Sequence, residues 1–128
     1  MEKDLVLCDT NIFIHWFNND KATIEKLQLI GLSNIAISVI SVMELIAGVD
    51  NKQQLNHLKK KIKNYYIVDF DKEVSKLSLL LIEKFKLSEN LQIPDAIIGA
   101  TAITLNMKLL TYNKKDFRFM PKIKLLDL

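Results

Sequence analysis

Hydrophobic and polar positions divide the chain into short continuous apolar runs separated by longer stretches of helical period. Leu5–Cys8, Ile35–Val39, Tyr66–Phe70 and Lys108–Thr111 are runs of strand length. The first of them is apolar throughout, as expected of a strand buried on both faces. Between the runs the apolar residues recur every three or four positions. Ile12, Phe13, Trp16 and Phe17 form one such set, and Ile24, Leu27 and Ile30 within Ala22–Ile30 form another, closed by Gly31. Lys52–Lys63 keeps Leu55, Leu58 and Ile62 as an inner stripe. Asp71–Leu87 is the longest predicted helix, with Val74, Leu77, Leu81 and Phe85 on one side. Ser88–Asn90 reads as a turn, and Ile93-Pro94-Asp95 opens a helical run that continues to Asn106. Proline is tolerated in a first helical turn, which places Asp95 where the helix dipole favours an anion. Ser41-Val42-Met43-Glu44 matches a capping box, with Gly48 near the end of its helix, and Ile123–Leu126 is a candidate final short strand.

Strands alternating with helices predict an α/β fold: a central parallel sheet of four to five strands with helices on both faces. The 128 residues suit one domain spanning 1–128, with no repeat, low-complexity stretch or linker. Hydrophobic residues make up 49% of the chain, which excludes disorder. The net charge of +3 is mild; the cations are lysines except for Arg118, clustered at Lys59–Lys63, Lys114-Lys115 and Lys122/Lys124. Such clusters are solvated faces or surfaces for a polyanion, and composition does not choose between them. The single cysteine, Cys8, rules out an internal disulfide. Neither a signal peptide nor an apolar run of membrane-spanning length is visible, so a soluble, cytoplasmic protein is expected.

Open parallel sheets gather polar chemistry beyond the carboxyl ends of their strands, where strand order reverses. Asp9 follows the first strand, Glu44 lies a helical turn beyond the second, Asp95 starts the helix leading to the fourth, and Asn113 and Asp116 follow the fourth. Singly, each acid is accounted for as a cap, a dipole partner or a turn residue. Together, four carboxylates at one sheet edge repel one another, which raises pKa values and costs stability. A divalent cation removes the conflict, and carboxylate-and-water sites suit Mg²⁺ or Mn²⁺.

Asp9-Thr10-Asn11 after a short strand resembles the opening motif of PIN-domain nucleases. Glu44-Leu45-x-x-Gly48, Asp95-Ala96-x-Ile98-x-Ala100-Thr101-Ala102 and Leu110-Thr111-x-Asn113-x-x-Asp116-Phe117 resemble the remaining blocks, in order and over nearly the whole chain. Size and block style are most similar to VapC-like toxins of toxin–antitoxin pairs. The resemblance implies a Mg²⁺-dependent endoribonuclease, with Mn²⁺ as the substitute ion, whose metal-site acids are Asp9, Glu44 and Asp95. Members fill the fourth place in more than one way; here Asp116 is taken as the acid, with Asn113 and Thr111 as hydrogen-bonding support beside Thr10 and Asn11. Tyr112 stands where the family commonly has a basic residue, which leaves Lys114 and Lys115 as contacts for the RNA backbone. The resemblance also implies an antitoxin partner covering a groove between helices, and a homodimer. Phe13, Trp16 and Phe17 form the aromatic stripe expected at that groove.

Other acid-pocket folds fit less well. A haloacid-dehalogenase-like phosphatase needs a second aspartate where Asn11 stands, and a receiver domain needs an acidic pair where Val6-Leu7-Cys8 stands. His15 and His57 fall on predicted helices away from the acids, which argues against histidine acid–base cleavage. An inactive PIN scaffold that acts only by binding is disfavoured by the intact Asp9, Glu44 and Asp95.

Overall fold

A computed structural model describes residues 4–128. Four strands, β1 (Val6–Cys8), β2 (Ile35–Ser38), β3 (Tyr66–Val68) and β4 (Lys108–Leu110), form one parallel sheet in the order β3-β2-β1-β4. Six helices connect them: α1 (Thr10–Phe17), α2 (Lys21–Ile30), α3 (Val39–Ala47), α4 (Lys52–Ile62), α5 (Lys72–Glu89) and α6 (Ile93–Thr104). The expected α/β architecture holds, with four strands.

The alternation of side chains along each strand sorts the core into two layers. Leu7, Ala36 and Leu109 face α5 and α6, where they meet Val74, Leu81, Ala96, Ala100, Phe117 and Met120. Val6, Cys8, Ile35, Ile37 and Leu110 face α1–α4, where they meet Ile12, Phe13, Leu27, Leu45, Leu58, Ile62 and Tyr65. Both faces are covered, so the central strands must be apolar at every position; β1 and β2 are buried throughout. Leu7, with no exposed surface, is at the centre, and truncation to alanine there would cost about 2–5 kcal/mol. Among the described residues no helix is long and apolar enough to cross a membrane.

Three sequence expectations are corrected. The capping box at Ser41 does not form: α3 starts directly after β2, with Ser38 as its N-cap, accepting from the Ile40 N–H at 3.3 Å. Both serines fit the local pattern, and the extended backbone of Ser38 decides between them. The third strand ends at Val68 rather than Phe70, because β3 lies at the sheet edge with Tyr66 and Ile67 exposed. Ile123–Leu126 contributes only an isolated parallel bridge between Leu125 and Leu109. In addition, Ser88 and Glu89 belong to α5, which Asn90 ends in the left-handed conformation (φ 54°).

Candidate active site

Strand order reverses at β1, which has β2 on one side and β4 on the other. The crevice beyond the carboxyl ends of β1 and β4 is where an open parallel sheet leaves room for a ligand. Asp9 stands at its floor. Its backbone N–H donates to Leu110 O at 2.9 Å, extending the β1–β4 ladder by one bond, and its side chain caps α1. One carboxylate oxygen accepts from the Thr10 N–H at 2.8 Å and the other from Thr111 Oγ1 at 2.9 Å. Asp9 is only 5% exposed. Burial pushes its pKa up, the Thr111 and Thr10 hydrogen bonds oppose this, and the charges of Glu44 and Asp116 add to the rise.

Thr10 reaches the other way. Its hydroxyl donates to Glu44 Oε1 at 2.7 Å and is hydrogen-bonded to Ser41 Oγ at 2.8 Å. A hydroxyl has one proton and a carboxylate only accepts. The consistent arrangement therefore has Ser41 donating to Thr10 and Thr10 donating to Glu44. Buried Ser41 thus orients the exposed Glu44 through Thr10, a role its S-x-x-E spacing disguised as a helix cap.

Asp95 occupies the first turn of α6, with Pro94 beside it. A helix N-terminus should lower a carboxyl pKa, yet this one is pushed up to about 7. Burial is the largest cause, followed by the charges of Asp9, Asp116 and Glu44. Asp116 closes a short 3₁₀ turn, Lys114–Asp116, held by its N–H on Asn113 O at 3.0 Å, and fully buried Phe117 anchors the turn from below. Asn113 donates its backbone N–H to Thr111 Oγ1 at 3.0 Å, so the Thr111 hydroxyl accepts from Asn113 and donates to Asp9. Gly99 of α6 lies against this segment: a Cβ there would come within 2.3 Å of Met120 Sδ and 3.6 Å of Phe117. The small-residue face of α6 therefore lets the helix bearing Asp95 close on the turn bearing Asp116.

Four negative side chains thus act on one another across one crevice. No lysine, arginine or histidine pairs with any of them among the described residues. Nor do any three of them, among the described residues, already stand at the separations of directly bound metal ligands. Uncompensated carboxylates keep apart, and Mg²⁺ retains several waters while taking one or two protein carboxylates. The donor set fits a hard divalent cation.

A family model described as PIN domain matches residues 6–122. The chain belongs to the PIN-domain family. It is similar to ribonuclease VapC1 of Methanocaldococcus jannaschii, with 32% identity over 91% of this chain and 81% of the relative. Among solved structures, a toxin–antitoxin complex from Klebsiella pneumoniae matches at 30% identity, with a TM-score of 0.78 over 92% of this chain and 94% of that one. VapBC2 from Rickettsia felis bound to a DNA fragment from its promoter matches at 28% identity, with a TM-score of 0.80 over 95% and 97%.

This PIN domain brings Asp9, Glu44, Asp95, Asp116, Thr10, Thr111 and Asn113 to the crevice, each by a hydrogen bond or an electrostatic effect on another member. Asn11 is exposed on α1 beside them. Lys114 forms an ion pair with Asp127, whereas Lys115 is exposed without an ion pair among the described residues. Phe13 is core, with no exposed surface. Trp16 packs on Tyr65 (centroids 5.7 Å) and Phe17 (5.1 Å), with the Lys61 ammonium 4.9 Å from its ring centre. His57 lies on α4 and pairs with none of the acids among the described residues, but His15 meets the Tyr112 ring at 5.0 Å, one residue from Thr111. Sequence reasoning misassigned Ser41 and overlooked this His15–Tyr112 neighbourhood. The first was read as the cap of its helix. The second was signalled by His15 lying one helical turn beyond Asn11.

Proposed function

We propose that this PIN domain is a Mg²⁺-dependent endoribonuclease, the VapC-like toxin of a toxin–antitoxin pair. The observation that carries the reading is the convergence of four uncompensated carboxylates, one of them with its pKa at about 7, beyond β1 and β4. The relatives named ribonuclease and toxin–antitoxin complex point the same way.

Asp9, Glu44, Asp95 and Asp116 would hold the cation, with Mn²⁺ able to substitute. The bound ion would lower the pKa of a water and offset charge developing on the phosphate oxygens. Asp9 presents a carboxylate fixed by Thr10 and Thr111, so its geometry needs no reordering when RNA arrives. Glu44 is aimed by Thr10 and Ser41. Asp95, with its pKa at about 7, would have to be ionised to hold the cation, which would link loading of the site to pH. Asp116, whose charge acts on both Asp9 and Asp95, fits the fourth acidic place; Asn113 contributes through its backbone N–H to Thr111.

An antitoxin has a place to sit. Ile14, Phe17, Leu45, Val49 and Leu58 line an apolar groove of about 480 Å³ between α1, α3 and α4. Its floor residue Leu45 is adjacent in sequence to Glu44, so a partner helix filling the groove would lie over the edge of the site. Phe17 is the member of the aromatic stripe that lines it.

Incubating the protein with single-stranded RNA and Mg²⁺, with and without EDTA, tests the reading. Cleavage that requires the metal and disappears in Asp95→Asn is expected. Cleavage that persists in EDTA, or an Asp95→Asn variant that arrests growth like the wild type, would overturn it.

A further inference from the structure

Beside the acids, the carboxyl edge of the sheet carries a second side-chain cluster that hydrolysis as described does not use. Tyr112 directly follows Thr111, the residue that holds Asp9, and is 37% exposed. Its phenolic oxygen is hydrogen-bonded to Thr23 Oγ1. Thr23 in turn donates to Asp20 Oδ2 at 2.6 Å, so its only proton is committed and the phenol must be the donor. The ring is thereby fixed at its far end by α2. Two nitrogen-bearing side chains converge on it: Lys26 Nζ lies 5.0 Å from its centroid, and the His15 ring meets it edge-on at 5.0 Å and 80°.

The Lys26 ammonium is held on an aromatic face, which orients it without neutralising it. It forms no ion pair among the described residues, in contrast to Lys114, which is committed to Asp127. Asp20 feels its charge but forms no ion pair with it; the Asp20 Oδ2 atom accepts two hydrogen bonds from Thr23 and has His15 Nδ1 at 3.8 Å. A partly buried, oriented and unpaired cation bordering a phosphodiester-cleaving crevice has a natural anion in the next phosphate of the same strand.

We infer that Lys26 contacts the RNA phosphate flanking the scissile one, with Tyr112 as the positioning residue that aims it. The inference rests on the ribonuclease reading above.

The test is steady-state cleavage of a single-stranded RNA oligonucleotide with saturating Mg²⁺, repeated over a range of salt concentrations. Lys26→Met should raise KM about 3- to 10-fold with kcat nearly unchanged, and make the slope of log(kcat/KM) against log[salt] shallower by about 0.7, the value for one phosphate on a single strand. Tyr112→Leu should reproduce the shallower slope although the lysine is still present, and Tyr112→Phe, which keeps the ring, should largely restore it. Lys124→Met, next to Asn106 at the opposite end of the sheet, should leave slope and KM unchanged. A Lys26→Met slope equal to that of Lys124→Met would overturn the assignment, leaving the cluster as a clamp between α2 and the β4 turn. So would a fall in melting temperature with no change in slope. A wild type that leaves RNA intact would instead overturn the ribonuclease reading on which the subsite depends.

Discussion

Asp9 and Asp95 share a crevice and a residue type but sit in opposite circumstances. Asp9 is nearly sealed from water, and each of its oxygens has a hydrogen-bond donor, one from the backbone and one from Thr111. Asp95 is less deeply buried, yet among the described residues its carboxylate receives no hydrogen bond or ion pair, and its pKa rises to about 7. The difference shows that burial alone does not set the state of a carboxylate; the donors that accompany it do. One aspartate has its donors supplied by the fold, whereas the other has none among the described residues.

Removing Asp95 should give the largest effect and sharpen this contrast. Asp95→Asn should lower Mg²⁺-dependent RNA cleavage by about 10²-fold or more while the metal-free protein becomes more stable above neutral pH. Its melting temperature and its cleavage rate should therefore move in opposite directions. If both fall together, Asp95 is a structural residue.

Asp116→Asn should come next, with a loss of about 10- to 100-fold in rate or metal affinity, against less than about 3-fold for Asn113→Ala. Reversal of that order, read from cleavage rates against Mg²⁺ concentration, would give the fourth place to Asn113.

Thr111→Val attacks the Asp9 side. It removes a hydrogen bond to a buried charge and should cost about 1–3 kcal/mol in chemical unfolding, with about a 10-fold loss of activity. An unchanged unfolding midpoint would show that Asp9 does not depend on that donor.

The smallest effect concerns pH. A carboxyl whose folded pKa lies above its unfolded value binds its proton more tightly when folded, so stability falls as pH rises from about 4 to about 7 and stays low above that. The metal-free protein should lose on the order of 1–3 kcal/mol over that window through Asp95. Mg²⁺ should restore it, raising the melting temperature more at pH 8 than at pH 5. Equal Mg²⁺ stabilisation at both values would break the proposed link between Asp95 and the cation.

Much of this was legible in the chain because a doubly covered sheet writes itself as continuous apolar runs. Leu5–Cys8 and Ile35–Val39 announced β1 and β2, and the apolar stripes of Lys52–Lys63 and Asp71–Leu87 announced α4 and α5. The acids could be placed because strand ends in such sheets converge. What the chain did not disclose depends on contacts between distant segments. Ser38 and Ser41 are equivalent as local caps; the extended backbone of Ser38 and the Thr10 hydroxyl on Ser41 tell them apart only in the folded chain. β3 is short because it lies at an edge, a property of strand order rather than of Tyr66–Phe70. Lys26 belonged to an unremarkable amphipathic helix until α2 laid it on Tyr112.

The hydrogen bond from Thr111 to Asp9 joins positions 102 residues apart, at the ends of two adjacent strands that are the first and last in chain order. During synthesis, β1 leaves the ribosome long before β4 exists. Until then Asp9 lacks one of its two donors and the crevice has only one wall. The crevice is therefore a non-local feature: its two walls come from opposite ends of the chain, and it is complete only once the last strand in sequence has paired with the first.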